Sequence, residues 1–161
     1  MFSVETKYFG TLPYTEEAVF EFPHGIPGFE EEKGFVLIEA PGREAGNSAP
    51  LVFLQSMARA GLCFAAFPVL VVDRDYELAI APEDLEQLGL DLGRQPDLGA
   101  EVTVLALVSL HDNALVTANL MAPIVLNLKT RRGLQAIRRD SRYSHQHPVR
   151  GQGSGRAEEA C

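Results

Sequence analysis

Two histidines one residue apart, in His145-Gln146-His147, are the side chains best spaced for metal chemistry in this chain. On a strand they would point the same way, as two ligands of one ion must. A zinc site needs three or four ligands, and the only nearby help is Asp140, with His24 and His111 far off in sequence. A structured loop is therefore expected there, with no metal. Ser56 carries the hydroxyl of a nucleophile but has no Gly-x-Ser-x-Gly elbow and no base at a linked spacing. It reads as a strand-end serine bonding to backbone. Gly25 and Gly28 precede neither Gly-Lys-Ser/Thr nor a useful helix, so they do not form a phosphate loop. The acids Glu30-Glu31-Glu32 have no assignable partner carboxylate and read as a solvated face. No catalytic residue and no cofactor emerge.

The strongest charge feature is the run 129–150. It holds Lys129, Arg131, Arg132, Arg138, Arg139, Arg142 and Arg150 against a single acid, Asp140. Such a run can bind phosphate, but Tyr143 is its only aromatic for stacking bases. The plainer expectation is a solvated strand edge, where basic residues also discourage sheet-to-sheet aggregation. The rest of the chain points the other way. Residues 1–89 carry 15 acids and 5 bases, net −10; residues 90–161 carry 7 acids and 9 bases, net +2. An acidic body repels phosphate backbones and favours basic partners.

The elements that must position these residues are short. The chain is 161 residues long, about one domain, and 46% hydrophobic, enough to build a core. No apolar run approaches the roughly 18 residues of a membrane span. Met1-Phe2-Ser3-Val4-Glu5 opens without the basic and apolar regions of a signal peptide. Cys63 and Cys161 read as a buried thiol and an incidental terminal one, not a disulfide. The expected compartment is the cytoplasm. Strands are expected at 2–9, 18–22, 35–39, 51–56 and 62–67, with 69–72 extending the last. Further strands are expected at 76–80, 101–110, 115–120, 124–128 and 134–138. Residues 10–13 read as a turn, 23–29 and 41–50 as loops, and 30–33 as one helical turn. One helix is expected at 82–89, with Pro82 at its start and Gly89 as its stop. The apolar residues of 101–110 fall on both faces, so that strand should be central and covered twice. About ten short strands with frequent Gly/Pro turns give an all-β fold, a single antiparallel β-barrel-like domain with one short helix. The domain is expected over 1–149, with 150–161 a disordered tail.

The most informative string is Thr117-Ala118-Asn119-Leu120-Met121-Ala122-Pro123-Ile124-Val125-Leu126-Asn127-Leu128-Lys129-Thr130-Arg131-Arg132-Gly133. Two strands flank a break at Pro123, and a basic turn closes on glycine. This string resembles a segment of the flagellar assembly factor FliW family. Val4-Glu5-Thr6-Lys7-Tyr8-Phe9-Gly10, Phe22-Pro23-His24-Gly25-Ile26-Pro27-Gly28-Phe29-Glu30, Leu54-Gln55-Ser56, and Tyr143-Ser144 followed by His147-Pro148 are similar to further family motifs in the same order. The segment Pro68-Val69-Leu70-Val71-Val72-Asp73-Arg74-Asp75-Tyr76 departs from the family's more aromatic pattern, and Gln146 stands where arginine is common. The resemblance implies a non-enzymatic protein that binds newly made flagellin and the translational regulator CsrA, a small basic dimer. It implies no direct contact with nucleic acid or membrane. A monomer is expected when the protein is free. The alternative reading is a nucleic-acid-binding β-barrel using 129–150.

The expected partner-binding residues are Gln55, Phe67, Asp73, Asp75, Tyr76, Glu77, Asn119, Asn127 and Lys129. The segment 67–77 forms the core of that expected interface. Tyr76 is read as an aromatic anchor between acids, so that Tyr76→Ala weakens binding and leaves the fold intact. Asn119 and Asn127 either face a partner or are satisfied internally.

Overall fold

Strand β7 (Val102–Leu110) organises the molecule, because its side chains alternate between two separate cores. Val102, Val104 and Ala106 enter one; Leu105 and Leu107 enter the other. The computed structural model describes residues 2–39 and 51–149. Around β7 runs an antiparallel sheet in the order β10-β9-β7-β6-β5-β4-β3. Its strands are β3 (Val19–Glu21), β4 (Gly34–Glu39), β5 (Val52–Ser56), β6 (Cys63–Pro68), β9 (Ile124–Asn127) and β10 (Gly133–Gln135). The sheet curls so that its inner face packs on itself. Phe20, Phe22, Phe35, Leu54, Leu105, Ile124 and Leu126 fill that space, with the Phe22 and Phe35 rings edge-on at 5.1 Å.

The curl stops short of a closed barrel. A single parallel bridge joins the two ends, where the Glu21 N–H donates to the Arg131 carbonyl at 2.8 Å. Both end strands are three residues long. Phe22 closes the seam from inside, its ring lying where a side chain at 133 would go. A Cβ on Gly133 would sit 2.7 Å from both the Phe22 ring and a Leu126 methyl. Barrel-like therefore holds in the loose sense of a rolled, bridged sheet.

The outer face is covered by separate pieces. Helix α2 (Pro82–Leu88) buries Leu85 and Leu88 against Val104, Val125 and Leu134. It begins at Pro82 and ends at Gly89, whose φ of +77° accommodates the left-handed cap. At the other end lies a hairpin of β1 (Phe2–Thr6) and β2 (Gly10–Tyr14), with Val4 buried. Strand β7 also forks. Val102–Leu105 pairs with β9, whereas Val108–Leu110 pairs with β8 (Val116–Ala118). The two-residue strand β11 (His147–Pro148) flanks β8.

Four expectations are corrected. Residues 10–13 are strand, not turn. The turn is 7–9, closed by the Thr6 hydroxyl, which donates to the Gly10 carbonyl and accepts from the Phe9 N–H. Residues 69–72 are a helical turn, α1 (Val69–Val72), despite their β-branched side chains. Pro68 lacks the N–H that would extend the ladder, and coiling sinks Val69 into the core. Residues 76–80 belong to no sheet, and side chains bond their backbone. Gln95 accepts from the Ile80 N–H and donates to the Ile80 carbonyl, while Arg138 donates to the Glu77 carbonyl. Residues 30–33 form a non-helical turn tied by the Gly28 N–H to the Glu30 carboxylate. The expected loop at 41–50 and the tail from 150 lie outside the described residues.

Two predictions follow from this architecture. Gly133→Ala is expected to destabilise the fold by about 1–3 kcal/mol through overpacking, read as a lowered urea midpoint. The second concerns the loop between α2 and β7. Arg94 grips Glu101 with two hydrogen bonds of 2.9 and 2.7 Å. Together with the Asp97 N–H, this holds the Glu101 carboxyl down at about 2. The folded value lies below the ordinary 4.5, so the stabilisation is complete above the unfolded value and is lost as pH falls from about 4.5 to about 2. In Arg94→Ala, the loss of stability across that window should be shallower than in the unaltered protein.

Candidate functional site

Of the nine residues expected to meet a partner, the structure places three in the interior. Gln55 has no exposed surface. Its amide donates to the carbonyls of Ser56, Arg59 and Ala60 and holds the tight connection between β5 and β6. Asn127 is likewise buried. Its NH2 donates to the Leu88 carbonyl at 2.7 Å, one of the acceptors a helix leaves open at its end. Its Oδ1 accepts from the N–H groups of Lys129 and Thr130. Every polar atom of that side chain is used in fixing α2 against the basic turn. Asn119 is half-buried and acts similarly, accepting from the Met121 and Ala122 N–H groups at the break before β9. Of the two readings left open for the asparagines, internal satisfaction is what the hydrogen bonds show for Asn127, while Asn119 uses its Oδ1 internally.

Tyr76 is the third buried residue, and here the expectation is reversed. It is 6% exposed and belongs to the outer core. Its hydroxyl donates to the Leu120 carbonyl at 2.9 Å and accepts from Arg138 at 3.2 Å. The Tyr143 ring packs on it at 4.5 Å. Burial pushes the Tyr76 phenol up, against the opposing pull of Arg138.

Arg138 is the residue that reading the basic run as a solvated face missed. It is 5% exposed and stacks over both tyrosine rings. Its Nε and Nη2 donate to the two oxygens of Asp140 at 2.9 Å each, and its Nη1 reaches the Glu77 carbonyl at 2.6 Å. Burial works against the charge, but the bonds to Asp140 and Tyr76 outweigh it and keep the guanidinium protonated. The same bonds hold the Asp140 carboxyl below its usual range. Alternation carried the signal, since Leu134, Ala136 and Arg138 share a phase and the first two are core.

Most of the other basic residues bond within the fold while staying at the surface. Arg139 pairs with Glu83 and Arg142 with Glu77, each at 2.7 Å. Arg132 donates to the Gln87 carbonyl. Arg131 stacks on Phe20 at 4.2 Å and donates to the Leu128 carbonyl. The acids of residues 77–83 thus offset much of the basic run. Ser56 donates to Glu32, a buried carboxylate, and accepts from the Ala58 and Arg59 N–H groups. Among the described residues, no three His, Cys, Asp or Glu side chains converge as metal ligands. No helix of the described residues is long and apolar enough to cross a membrane.

What stays at the surface is a narrower set. Asp75, Glu77 and Lys129 are exposed, while Phe67 and Asp73 are half-buried. Beside them α1 presents two apolar side chains, Leu70 and Val71, 41% and 40% exposed. The result is an exposed apolar step with carboxylates at its end.

Residues 3–149 match the family described as FliW protein. The flagellar assembly factor FliW of Bacillus subtilis (strain 168) is 32% identical over 149 residues, covering 92% of this chain and 97% of the relative. That of Leptospira biflexa serovar Patoc is 36% identical over 143 residues, covering 88% and 87%. A crystal structure of the flagellar assembly factor FliW superposes with a TM-score of 0.75 at 31% identity, covering 92% of this chain and 96% of the other.

The geometry around Tyr76 sets a sharp expectation. Tyr76→Ala should cost about 3–5 kcal/mol by emptying a buried site. Tyr76→Phe should cost about 1–3 kcal/mol, because the Leu120 carbonyl loses its donor. Chemical denaturation followed by circular dichroism measures both.

Proposed function

The chain belongs to the FliW protein family of flagellar assembly factors, and on that premise we propose that it binds newly made flagellin and antagonises the translational regulator CsrA. Both contacts are protein–protein contacts. Flagellin and CsrA compete for the protein, so export of flagellin frees it to hold CsrA away from messenger RNA and relieve repression of flagellin synthesis. The role needs no catalytic group, cofactor or metal. Its setting is the cytoplasm, where flagellin is made, and the free protein acts as a monomer.

The observation that supports this reading most is the surface around α1. Leu70 and Val71 are exposed there, with the carboxylates of Asp75 and Glu77 beyond them. Apolar contact supplies affinity, and carboxylates at the margin speed and orient the approach of a basic partner. Glu77 is shared with Arg142, which leaves Asp75 the more available acid. The pairing of Arg138, Arg139 and Arg142 with acids lowers the net positive charge of the run, which disfavours direct binding to RNA.

The test is a gel shift with the flagellin leader RNA. The protein alone should leave the RNA unshifted, should release RNA already held by CsrA, and should lose that effect when flagellin is added. Asp75→Lys combined with Val71→Asp should weaken the CsrA contact about tenfold or more without moving the melting temperature. Direct RNA binding that falls steeply with salt would instead support the nucleic-acid reading of 129–150.

A further inference from the structure

The outer edge of β1 has no role in anything described above. Among the described residues its one strand neighbour is β2. Within that hairpin Ser3 faces Pro13, which has no N–H to give. The ladder bonds therefore fall at the neighbouring pairs, Phe2 with Tyr14 and Val4 with Leu12. This turns the N–H and C=O groups of Ser3 and Glu5 away from β2. Lys7, in the same phase, shows the direction: its N–H leaves the hairpin and donates to the Ala60 carbonyl at 2.9 Å. Outside the β1–β2 ladder, no backbone bond from the N–H groups of Ser3 and Glu5 is made among the described residues. The opposite edge, on β2, is blunted by Pro13.

A groove opens where β1 begins. It encloses about 400 Å³ and is lined by Phe2, Tyr14, Val19 and Met57, with Glu16 and Glu21. Phe2 is 48% exposed and stacks on Tyr14 with centroids 5.6 Å apart, which leaves an aromatic surface uncovered. Arg131 also reaches the groove, but its guanidinium is committed to Phe20 and the Leu128 carbonyl. Arg131 keeps its positive charge there, but Glu16 and Glu21 in the lining, with Glu5 on the strand, outnumber it and leave the groove net acidic.

We infer that this edge and groove receive an extended peptide segment of a partner protein, added to β1 as a third strand. One apolar side chain of that segment seats beside Phe2 and Tyr14, and basic side chains face Glu16 and Glu21. Main-chain bonds to Ser3 and Glu5 supply the affinity, and the alternation of side chains supplies the selectivity. The surface is distinct from α1 and independent of the partners proposed above, so its failure leaves them standing.

The test titrates the isotope-labelled full chain with a capped peptide of about seven residues alternating valine and lysine. The Ser3 and Glu5 amides are expected to shift, and their hydrogen exchange to slow about tenfold or more in the bound state. The same peptide N-methylated at two consecutive central residues, or carrying glutamate for lysine, is expected to bind about tenfold more weakly or worse. Ser3→Pro removes one edge donor without touching the β1–β2 ladder and should weaken binding about tenfold. Glu16→Lys with Glu21→Lys should do the same through charge. If Ser3→Pro disturbs the hairpin, the methylated peptide on the unaltered protein decides. Binding that leaves the Ser3 and Glu5 amides unmoved would overturn the inference. So would equal binding of the glutamate or methylated peptide, or no binding at millimolar concentration.

Discussion

A strand that is apolar on both faces has to be covered twice, and β7 imposes that demand on the whole molecule. Rolling the sheet answers it on one side, where phenylalanines and leucines of β3, β4, β5 and β9 meet across the interior. The other side cannot be answered by the same sheet. It is closed by α2, by the unpaired stretch 76–80 and by the residues after β10. Each of these brings backbone polar groups next to a dry core, and each such group needs a partner. The polar side chains of the interior follow from that need. Asn127 takes the open carbonyl at the end of α2, Gln95 serves both polar groups of Ile80, and Arg138 serves the Glu77 carbonyl.

This explains why so many family-like motif residues prove to be joints. Gln55, Asn119 and Asn127 each replace backbone partners at a place where the sheet turns, breaks or meets a helix. A buried amide that satisfies two or three backbone groups leaves little room for change, since removing it exposes every partner at once. Exposed apolar side chains lie instead on the outside of α1, at Leu70 and Val71, and at Phe2 on β1.

The sequence made the strand content legible because alternation is a local property. The extents of β4, β5, β6, β9 and α2 could be read from it nearly residue by residue. What it hid were the places where tertiary bonding overrode local preference. Val69–Val72 has strand-forming side chains but coils, because Pro68 ends the ladder and the core accepts Val69. Residues 76–80 look like a strand in sequence, yet their hydrogen bonds go to Gln95, Tyr143 and Arg138. The candidate site suffered from the same limit. Tyr76 between acids looks like an exposed anchor until Arg138, 62 residues later, is seen to reach its hydroxyl.

That separation carries a consequence for the order in which the protein is made. The ring of Tyr76, the Leu120 carbonyl it bonds and the Glu77 backbone are all synthesised before Arg138 and Tyr143, which cover them. Until then the outer core is open on that side, and the rolled sheet presents one finished face and one unfinished one. Contacts of such long sequence separation close late. Completion of this fold is thus a signal that synthesis has passed residue 143, and a stalled or truncated chain keeps its apolar outer face on view to chaperones and proteases.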